Sequence, residues 1–235
     1  VMLKGSGQLP AGNLVCPLHR WTYDGEGQLL GAPHFPQQPC LNLPRARLQK
    51  WNGMLFQGPR DIAGDLAKLG CAKDLDFSGY VLNKVDVTEY NFNWKTFIEV
   101  YLEDYHVEPF HPGLGKFVDC GNLEWEFGDW YSVQTVGVNK ALSRPGSEVY
   151  RRWHEMVLNF RQGEAPKYGA IWLTYYPNIM VEWYPHVLVV SVAVPKGPEQ
   201  TTVITEFYYP QDILWFEPEF IQAEQAAYFE TAVED

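Results

Sequence analysis

Residues 93–112 read NWKTFIEVYLEDYHVEPFHP and combine a helical pattern with a pair of histidines. Bulky apolar residues recur at spacings of three and four, which is typical of the buried face of a helix. They are Trp94, Phe97, Ile98, Tyr101 and Leu102. Because proline cannot continue a helix, Pro109 and Pro112 indicate that the chain turns soon afterwards. We therefore predict a helix over residues 93–105, followed by a sharp turn.

The polar residues of this stretch predict a metal site. Glu103 and His106 are three residues apart, so we expect them to share a helix face. His111 follows five residues later, and Pro109 and Pro112 can bring it back toward His106. Two neutral imidazoles and one carboxylate form the facial triad of non-heme Fe(II) oxygenases, which leaves positions open for O₂ and substrate. A histidine pair at this spacing alone is more often a coincidence, so the hypothesis depends on the rest of the chain.

The remainder of the chain indicates two regions of different character. Residues 1–65 are rich in glycine and proline with short apolar runs, which predicts a small domain of short strands. Residues 57–76 are predicted to be a connector with one short helix over 61–69. From residue 77 onward, apolar patterns predict strands over 81–87, 131–138, 169–175, 179–184, 187–194 and 201–209, and then one helix from about residue 210 to the end. A helix, an antiparallel sheet and a terminal helix make this second region an α+β domain.

The composition is that of a globular protein and argues against two classes of partner. With 29 acidic and 18 basic residues, the net charge is −11, which argues against nucleic acid, because phosphates attract clustered lysine and arginine. The longest apolar runs, such as residues 187–194, are too short to cross a membrane. The four cysteines are irregularly spaced, which favours a reducing cytoplasm over a secreted disulfide framework.

A second candidate site lies at residues 16–27, which read CPLHRWTYDGEG. Cys16 and His19 are three residues apart in a predicted turn, so a thiolate and an imidazole can reach one metal. Alone this pair is a weak signal, because a buried thiol beside a surface histidine has the same sequence. Cys40, Cys71 and Cys120 lack partners at ligand spacing, and we expect them to be packed thiols.

Together these motifs resemble those of one enzyme family. Residues 16–27 resemble the second half of a Rieske [2Fe–2S] motif, and residues 93–112 resemble the catalytic domain of Rieske non-heme iron ring-hydroxylating oxygenase α (large, catalytic) subunits. The resemblance covers nearly the whole chain. It implies a small all-β Rieske-type iron-sulfur domain over residues 1–65. Over residues 77–235 it implies a helix-grip (START-like) catalytic domain with a curved antiparallel sheet and a long C-terminal helix.

The resemblance also implies roles for four residues of the iron site. His106, His111 and Asp235 match the ligands of a mononuclear Fe(II), with Asp235 in an E-D sequence on the C-terminal helix. Glu103 matches the carboxylate that links this iron to the cluster of a neighbouring subunit. Many ring dioxygenases have aspartate at this position, whereas glutamate is more usual in the branch that includes choline and carnitine monooxygenases.

Cys16 and His19 match two of the four ligands of the [2Fe–2S] cluster. The other two, in a C-x-H sequence, are expected a few residues before Val1. Val1-Met2-Leu3-Lys4 is unlike a natural start, and the helical pattern at the other end stops without a cap, so we interpret both ends as truncations. We therefore expect the intact protein, rather than this chain, to hold the cluster.

The implied activity uses O₂ and electrons from an NAD(P)H-linked reductase or ferredoxin to hydroxylate or oxidatively demethylate a small organic substrate, with an aromatic compound favoured. The resemblance also implies a head-to-tail homotrimer. Three alternatives remain open: a choline- or carnitine-like quaternary-amine monooxygenase, a helix-grip ligand-binding protein without redox activity, and a Rieske-type electron carrier. The strand aromatics predict core packing, or the wall of a substrate pocket; they are Trp172, Tyr175, Tyr176, Trp183 and Tyr184.

Overall fold

A computed structural model describes residues 12–139, 142 and 144–235. The chain divides into two compact units, Val1–Gln49 with Phe56–Pro59, and Lys50–Leu55 with Arg60–Asp235. The functional boundaries that we infer from the motifs, 1–65 and 77–235, stay a prediction.

The first unit contains a three-stranded antiparallel sheet, built from β1 (Leu14–Val15), β2 (Thr22–Tyr23) and β3 (Leu29–Gly31). The turn between β2 and β3 is fixed by Asp24, whose carboxylate accepts hydrogen bonds from the backbone N–H groups of Glu26 and Gln28. A further hairpin joins β4 (Leu48–Trp51) to β5 (Met54–Gln57). Its turn residues, Asn52 and Gly53, both have positive φ, which is the signature of an Asn-Gly hairpin turn.

The second unit is built on a seven-stranded antiparallel sheet. Its strands are β6 (Tyr80–Tyr90), β7 (Val118–Phe127), β8 (Tyr131–Val138), β9 (Ala170–Tyr175), β10 (Ile179–Tyr184), β11 (Val187–Gly197) and β12 (Gln200–Pro210). Strands β7 to β12 are neighbours in chain order, with β7 at one edge of the sheet. Strand β6 pairs with β12 and forms the other edge. The predicted bounds of β8 and β10 are confirmed, and so is the antiparallel α+β class.

Helices pack on this sheet and close the core. They are α1 (Ile62–Asp65), α2 (Trp94–Tyr101), α3 (Val107–Phe110), α4 (Leu114–Phe117), α5 (Glu148–Phe160), α6 (Gln211–Phe216) and α7 (Pro218–Glu234). The rings of Trp153 on α5 and Phe220 on α7 meet edge to face at 4.9 Å, and Phe207 of β12 meets Tyr228 of α7 at 5.0 Å. In the part of the chain that the structure describes, no helix is both long and apolar enough to span a membrane.

Three predicted helices have different bounds. The predicted helix over residues 93–105 ends at Tyr101, and α1 is shorter than the predicted 61–69. The predicted single C-terminal helix is two helices, α6 and α7, because Pro218 lacks a backbone N–H and disfavours the helical conformation at Glu217, whose φ and ψ are −126° and 57°. Pro218 then starts α7, at the position where a proline is best tolerated.

Two large elements were missed by the sequence reasoning. For α5 the signal was present, since Ser147 accepts a hydrogen bond from the Tyr150 N–H as an N-cap, and buried residues follow at helical spacing. For β7 it was weak, because the pairing with β8 shifts register between Asp119 and Leu123, which disrupts the alternation. Among the cysteines, Cys71 is buried as expected, but Cys40 is exposed, so it was wrongly predicted to be packed.

Replacing Gly146 by alanine is expected to destabilise the second unit. A Cβ at this position would lie 1.5 Å from the carbonyl oxygen of Pro112, a backbone atom next to His111 that cannot move aside alone. Such overpacking costs about 1–3 kcal/mol, and each kcal/mol lowers the Tm of a chain of this size by roughly 2–4 °C. Thermal unfolding tests this, with Gly197→Ala as control because its nearest atoms are 3.9 Å away. Equal Tm values for both variants would contradict the prediction.

Candidate metal centre

The histidine pair is held by the one-turn helix α3. His106 directly precedes this helix and His111 directly follows it. The backbone N–H of Phe110 donates to the carbonyl of His106 at 2.9 Å, and that of His111 donates to Val107 at 3.0 Å. Pro109 is accommodated because it lies in the first turn, where a backbone N–H has no partner inside the helix. The two imidazole centroids are 5.1 Å apart, with their planes at 77°.

Asp235 completes the cluster from the end of α7. Its Oδ1 atom lies 3.0 Å from Nε2 of His111 and 3.6 Å from Nε2 of His106. One ligand atom from each of the three residues lies within 4.8 Å of the others. Two imidazole nitrogens and one carboxylate oxygen are the donor set of a facial triad, so the residues present fit a mononuclear Fe(II). The structure thus brings together the three residues that the motifs predict as iron ligands.

The other ring nitrogen of each histidine faces a carboxylate. Nδ1 of His106 is hydrogen-bonded to Glu103, and Nδ1 of His111 lies 2.9 Å from Oε2 of Glu234. A carboxylate at Nδ1 holds the proton there and leaves the Nε2 lone pair free for a metal. Sequence reasoning placed Glu234 in the E-D pair but missed this contact, which depends on the orientation of α7.

The position of Glu103 differs from the prediction. It lies beyond the end of α2 and does not share a helix face with His106. Its carboxylate accepts hydrogen bonds from the backbone N–H of Tyr105 at 2.6 Å and of His106 at 3.3 Å. Glu103 therefore stabilises the start of α3 as well as the ring of His106. The carboxylate competes successfully with the helix for these N–H groups, which explains why the helical pattern breaks here.

His111 is almost completely buried, with 1% of its surface exposed. Burial lowers the pKa of its imidazole, but hydrogen bonds and charge interactions with Asp235 and Glu234 outweigh this, so the net shift of the pKa is upward. Protons and metal compete for Nε2, so metal binding at this site is expected to weaken as pH falls.

A cavity of about 220 Å³ adjoins the three residues. Its polar lining consists mainly of carboxyl and phenol groups, including those of Glu103, Glu182, Glu224, Tyr101, Tyr184 and Tyr228. Within the described residues, neither lysine nor arginine lines it. Of the strand aromatics predicted as a pocket wall, Trp172 and Tyr184 line the cavity, whereas Tyr175, Tyr176 and Trp183 are not in its described lining. The cavity is therefore aromatic and acidic.

Cys16 and His19 lie in the turn between β1 and β2. The turn is closed by hydrogen bonds from the Arg20 N–H to the Cys16 carbonyl at 2.9 Å and from the Cys16 N–H to the Trp21 carbonyl at 2.8 Å. Hydrogen bonds from the backbone of Leu18 and His19 lower the pKa of the Cys16 thiol, which favours the thiolate that a metal requires. These two residues fit half of the ligand set of a Rieske cluster.

Family models match both regions of the chain. A model of the ring hydroxylating alpha subunit (catalytic domain) matches residues 77–235, and a model of the Rieske [2Fe-2S] domain matches residues 1–46. The chain belongs to the Rieske non-heme iron ring-hydroxylating oxygenase α subunits, which confirms the resemblance inferred from the motifs. Membership implies two cofactors, a [2Fe–2S] Rieske cluster and a mononuclear non-heme iron.

Two curated relatives are similar along almost the whole chain. The chain is 64% identical over 235 residues to putrescine 2-hydroxylase of Ralstonia nicotianae, of which it covers 64%. It is 59% identical over 232 residues to putrescine 2-hydroxylase of Bordetella bronchiseptica, of which it covers 54%, with 99% of this chain aligned. The chain thus spans less than two thirds of the length of these relatives.

Solved structures share the fold at low identity. The crystal structure of a quaternary ammonium Rieske monooxygenase in complex with an inhibitor matches with a TM-score of 0.66. This match covers 99% of this chain and 64% of that chain at 18% sequence identity. It supports the fold class, including the predicted succession of a Rieske domain and a catalytic domain.

Proposed function

We propose that this chain is the catalytic portion of a Rieske-type oxygenase α subunit in which His106, His111 and Asp235 bind Fe(II). The observation that supports this most is the convergence of their three ligand atoms within 4.8 Å beside a cavity. A helix-grip protein that binds a ligand without redox activity has no need for this set. A simple electron carrier would not need the second unit.

Iron held by these groups would supply the activation of O₂, and a Rieske cluster in the full-length protein would supply single electrons from a reductase or ferredoxin. The residues of this chain orient the site. Glu103 and Glu234 each hold the Nδ1 proton of a histidine, so that both Nε2 atoms face Asp235. Burial of His111 keeps water from one side of the site, and the cavity offers space for a substrate on another side.

Glu103 is proposed to connect this site with the Rieske cluster of a neighbouring subunit in a homotrimer. Two observations support the assignment. Its carboxylate contacts His106 directly, and 37% of its side chain is exposed, so a partner can reach it. Cys16 and His19 are proposed as two of the four cluster ligands. The cytoplasmic location, inferred from the cysteine spacing, stays a prediction.

The proposed substrate is a small aliphatic amine, with putrescine as the first candidate. Both curated relatives are named putrescine 2-hydroxylase, and the cavity carries carboxyl groups without a lysine or arginine among its described residues. Such a lining attracts a cation and repels an organic anion. The aromatic substrate favoured by the motifs finds no support in these relatives. Insertion of one oxygen atom into a C–H bond, with the other oxygen leaving as water, consumes two electrons and two protons.

Putrescine supplied with ¹⁸O₂, a reductase and NAD(P)H is expected to gain one labelled oxygen atom when incubated with the full-length protein. Mass spectrometry of the product measures this directly. Carnitine and benzoate in parallel reactions represent a quaternary amine and an aromatic acid. Hydroxylation of benzoate without putrescine, or demethylation of carnitine without putrescine, would contradict the amine assignment and favour the corresponding alternative.

A further inference from the structure

Glu182 is a buried carboxyl group in the wall of the cavity. It lies on β10, only 4% of its surface is exposed, and it belongs to the cavity lining. Its Oε2 atom accepts a hydrogen bond from the hydroxyl of Tyr184 at 2.8 Å, and its Oε1 atom accepts one from Tyr228 at 3.1 Å. Among the described residues, none of the ion pairs includes Glu182.

A carboxylate buried in this way is costly for the fold unless a cation joins it. Burial raises the pKa of Glu182 to about 7, although the hydrogen bonds from Tyr184 and Tyr228 act in the opposite direction. Glu224, on α7, also lines the cavity, and its pKa is raised to about 8, mainly by burial and in part by the charge of Glu182. Because Glu182 and Glu224 line one cavity and the charge of Glu182 raises the pKa of Glu224, a cation in this cavity would stabilise their charged forms.

A second polar group beside the same cavity is the hydroxyl of Tyr101. Tyr101, at the end of α2, lines the cavity, and its hydroxyl oxygen is buried without a hydrogen-bond partner among the described residues. The hydroxyl of Tyr184 differs, because it donates to Glu182 and accepts from the indole N–H of Trp172 at 3.0 Å. The Tyr101 oxygen can therefore accept a hydrogen bond from a bound ligand, which a primary ammonium supplies and a quaternary ammonium does not.

The spacing along α7 suits a short diamine. Tyr228, which contacts Glu182, lies seven residues before Asp235, which faces the histidines and directly follows the last residue of this helix. At 1.5 Å per residue this is about 10 Å along the helix axis. An extended four-carbon diamine measures about 6 Å between its nitrogens, from standard bond lengths, and a hydrogen bond adds about 3 Å. The length of the diamine together with one hydrogen bond is therefore comparable with the distance along the helix axis.

We propose that Glu182 binds the ammonium group of a primary alkylamine, with the Tyr101 hydroxyl as a second acceptor, so that the alkyl chain extends toward His106, His111 and Asp235. The inference rests on the proposed function and names the residue that selects its substrate class. Aromatic side chains around the anchor, Trp172 and Tyr184 among them, add cation–π attraction to the charge interaction. Glu182 is thus assigned to substrate binding and selectivity, and not to the chemistry at the metal.

The test compares Glu182→Gln with the unmodified full-length, iron-loaded protein. Glutamine keeps the shape and one acceptor for the tyrosine hydroxyls but removes the charge. A hydrogen bond to a charged group contributes enough that its loss changes binding by roughly 10- to 100-fold. We expect the KM for putrescine, and its Kd measured by anaerobic calorimetry, to rise by this factor, while kcat and iron content change little. n-Butylamine, with one ammonium group, is expected to lose affinity in the same variant, and n-butanol is not.

The chain offers a matched control in Glu206→Gln. On β12, Glu206 accepts a hydrogen bond from the hydroxyl of Tyr208 at 2.5 Å, the same spacing of two residues as in the Glu182–Tyr184 pair, but it is not in the described cavity lining. This variant should leave KM and Kd unchanged. Tyr101→Phe removes only the hydroxyl, keeps the ring, and is expected to raise KM by a smaller factor than Glu182→Gln. It therefore keeps the proposal testable if Glu182→Gln does not fold.

The outcomes separate the two proposals. If the unmodified protein binds and hydroxylates putrescine, and both Glu182→Gln and Tyr101→Phe retain its KM and Kd, the anchor is overturned and the proposed function stands. If the unmodified protein neither binds nor hydroxylates any amine of the panel, the proposed function fails and the anchor fails with it. A folded Glu182→Gln variant with a selectively raised KM and normal iron content supports the anchor.

Discussion

Replacing His111 by alanine is expected to remove the mononuclear iron and abolish hydroxylation, while the Rieske cluster of the full-length protein stays in place. His111 is the most buried of the three proposed ligands, and its Nε2 atom lies 3.0 Å from Asp235. Alanine removes this donor, so that only the imidazole of His106 and the carboxylate of Asp235 remain as ligands for the metal. Replacing a residue that hydrogen-bonds to a metal ligand lowers metal affinity or activity by about 10- to 100-fold. Loss of a ligand itself should lower the metal affinity by a larger factor.

Metal analysis combined with the absorbance and EPR signals of the cluster measures this outcome. The iron content is expected to fall by about one atom per chain, since the facial triad binds one metal, with the cluster signals unchanged. His186→Asn is a suitable control, because His186 is outside the described cavity lining and its positive φ is one that asparagine tolerates. Full iron occupancy in the His111→Ala protein would refute the assignment of this residue as a ligand.

Replacing Glu103 by glutamine is expected to leave iron bound but slow repeated turnover by about 10- to 100-fold. Glutamine can still accept from His106 through its amide oxygen, so the ring orientation at α3 is largely retained. The negative charge is lost, however, and with it the charged link proposed between the iron site and the cluster of a neighbouring subunit. The main effect should fall on the transfer of electrons, because glutamine still accepts from His106 and the proposed anchor of the amine is Glu182, which is unchanged.

Two kinetic experiments separate these steps. In a single turnover with prereduced protein, the rate of electron loss from the cluster should fall, while the Kd for putrescine stays constant. In steady state, kcat should fall with little change in the KM for putrescine. Glu99→Gln is the matched control, since Glu99 is exposed on α2 and outside the described cavity lining. An unchanged rate of cluster oxidation in the Glu103→Gln protein would show that the electrons take another route.

The convergence of His106, His111 and Asp235 could be predicted because their signals are local or tied to a family order. The H-x4-H-P sequence of His106 and His111 is contained in one turn, and the E-D pair was expected on a C-terminal helix. Local reasoning failed at Glu103, where side-chain hydrogen bonds to the backbone end the helix that the apolar pattern predicts. The apolar pattern also does not show the break before Pro218, where the predicted C-terminal helix is divided in two.

The proposed substrate anchor, Glu182, could not be predicted in this way. In the strand sequence IMVEWY, Glu182 looks like an ordinary polar residue on a strand face, because nothing nearby in the chain marks it as buried. Its environment is assembled from Tyr101 on α2, Tyr184 on its own strand and Tyr228 on α7, which are far apart in sequence. The tertiary packing is needed to show that Glu182 lies in an aromatic cavity and that no ion pair among the described residues includes it.

Helix α7 presents side chains to the cavity at regular intervals, counted back from Asp235 just beyond its end. Thr231, Tyr228 and Glu224 follow at intervals of three or four residues, and all of them line the same cavity. Tyr228, which donates to Glu182, and Asp235, which faces the histidines, are thereby held at a fixed separation by one helix and not by two independent loops. Ala227 and Ala232 are small residues of the same helix, and both also line the cavity. If the proposed amine substrate is correct, the length of amine that fits this cavity should therefore change with the bulk of the side chains at these two positions, with the proposed metal ligands left in place.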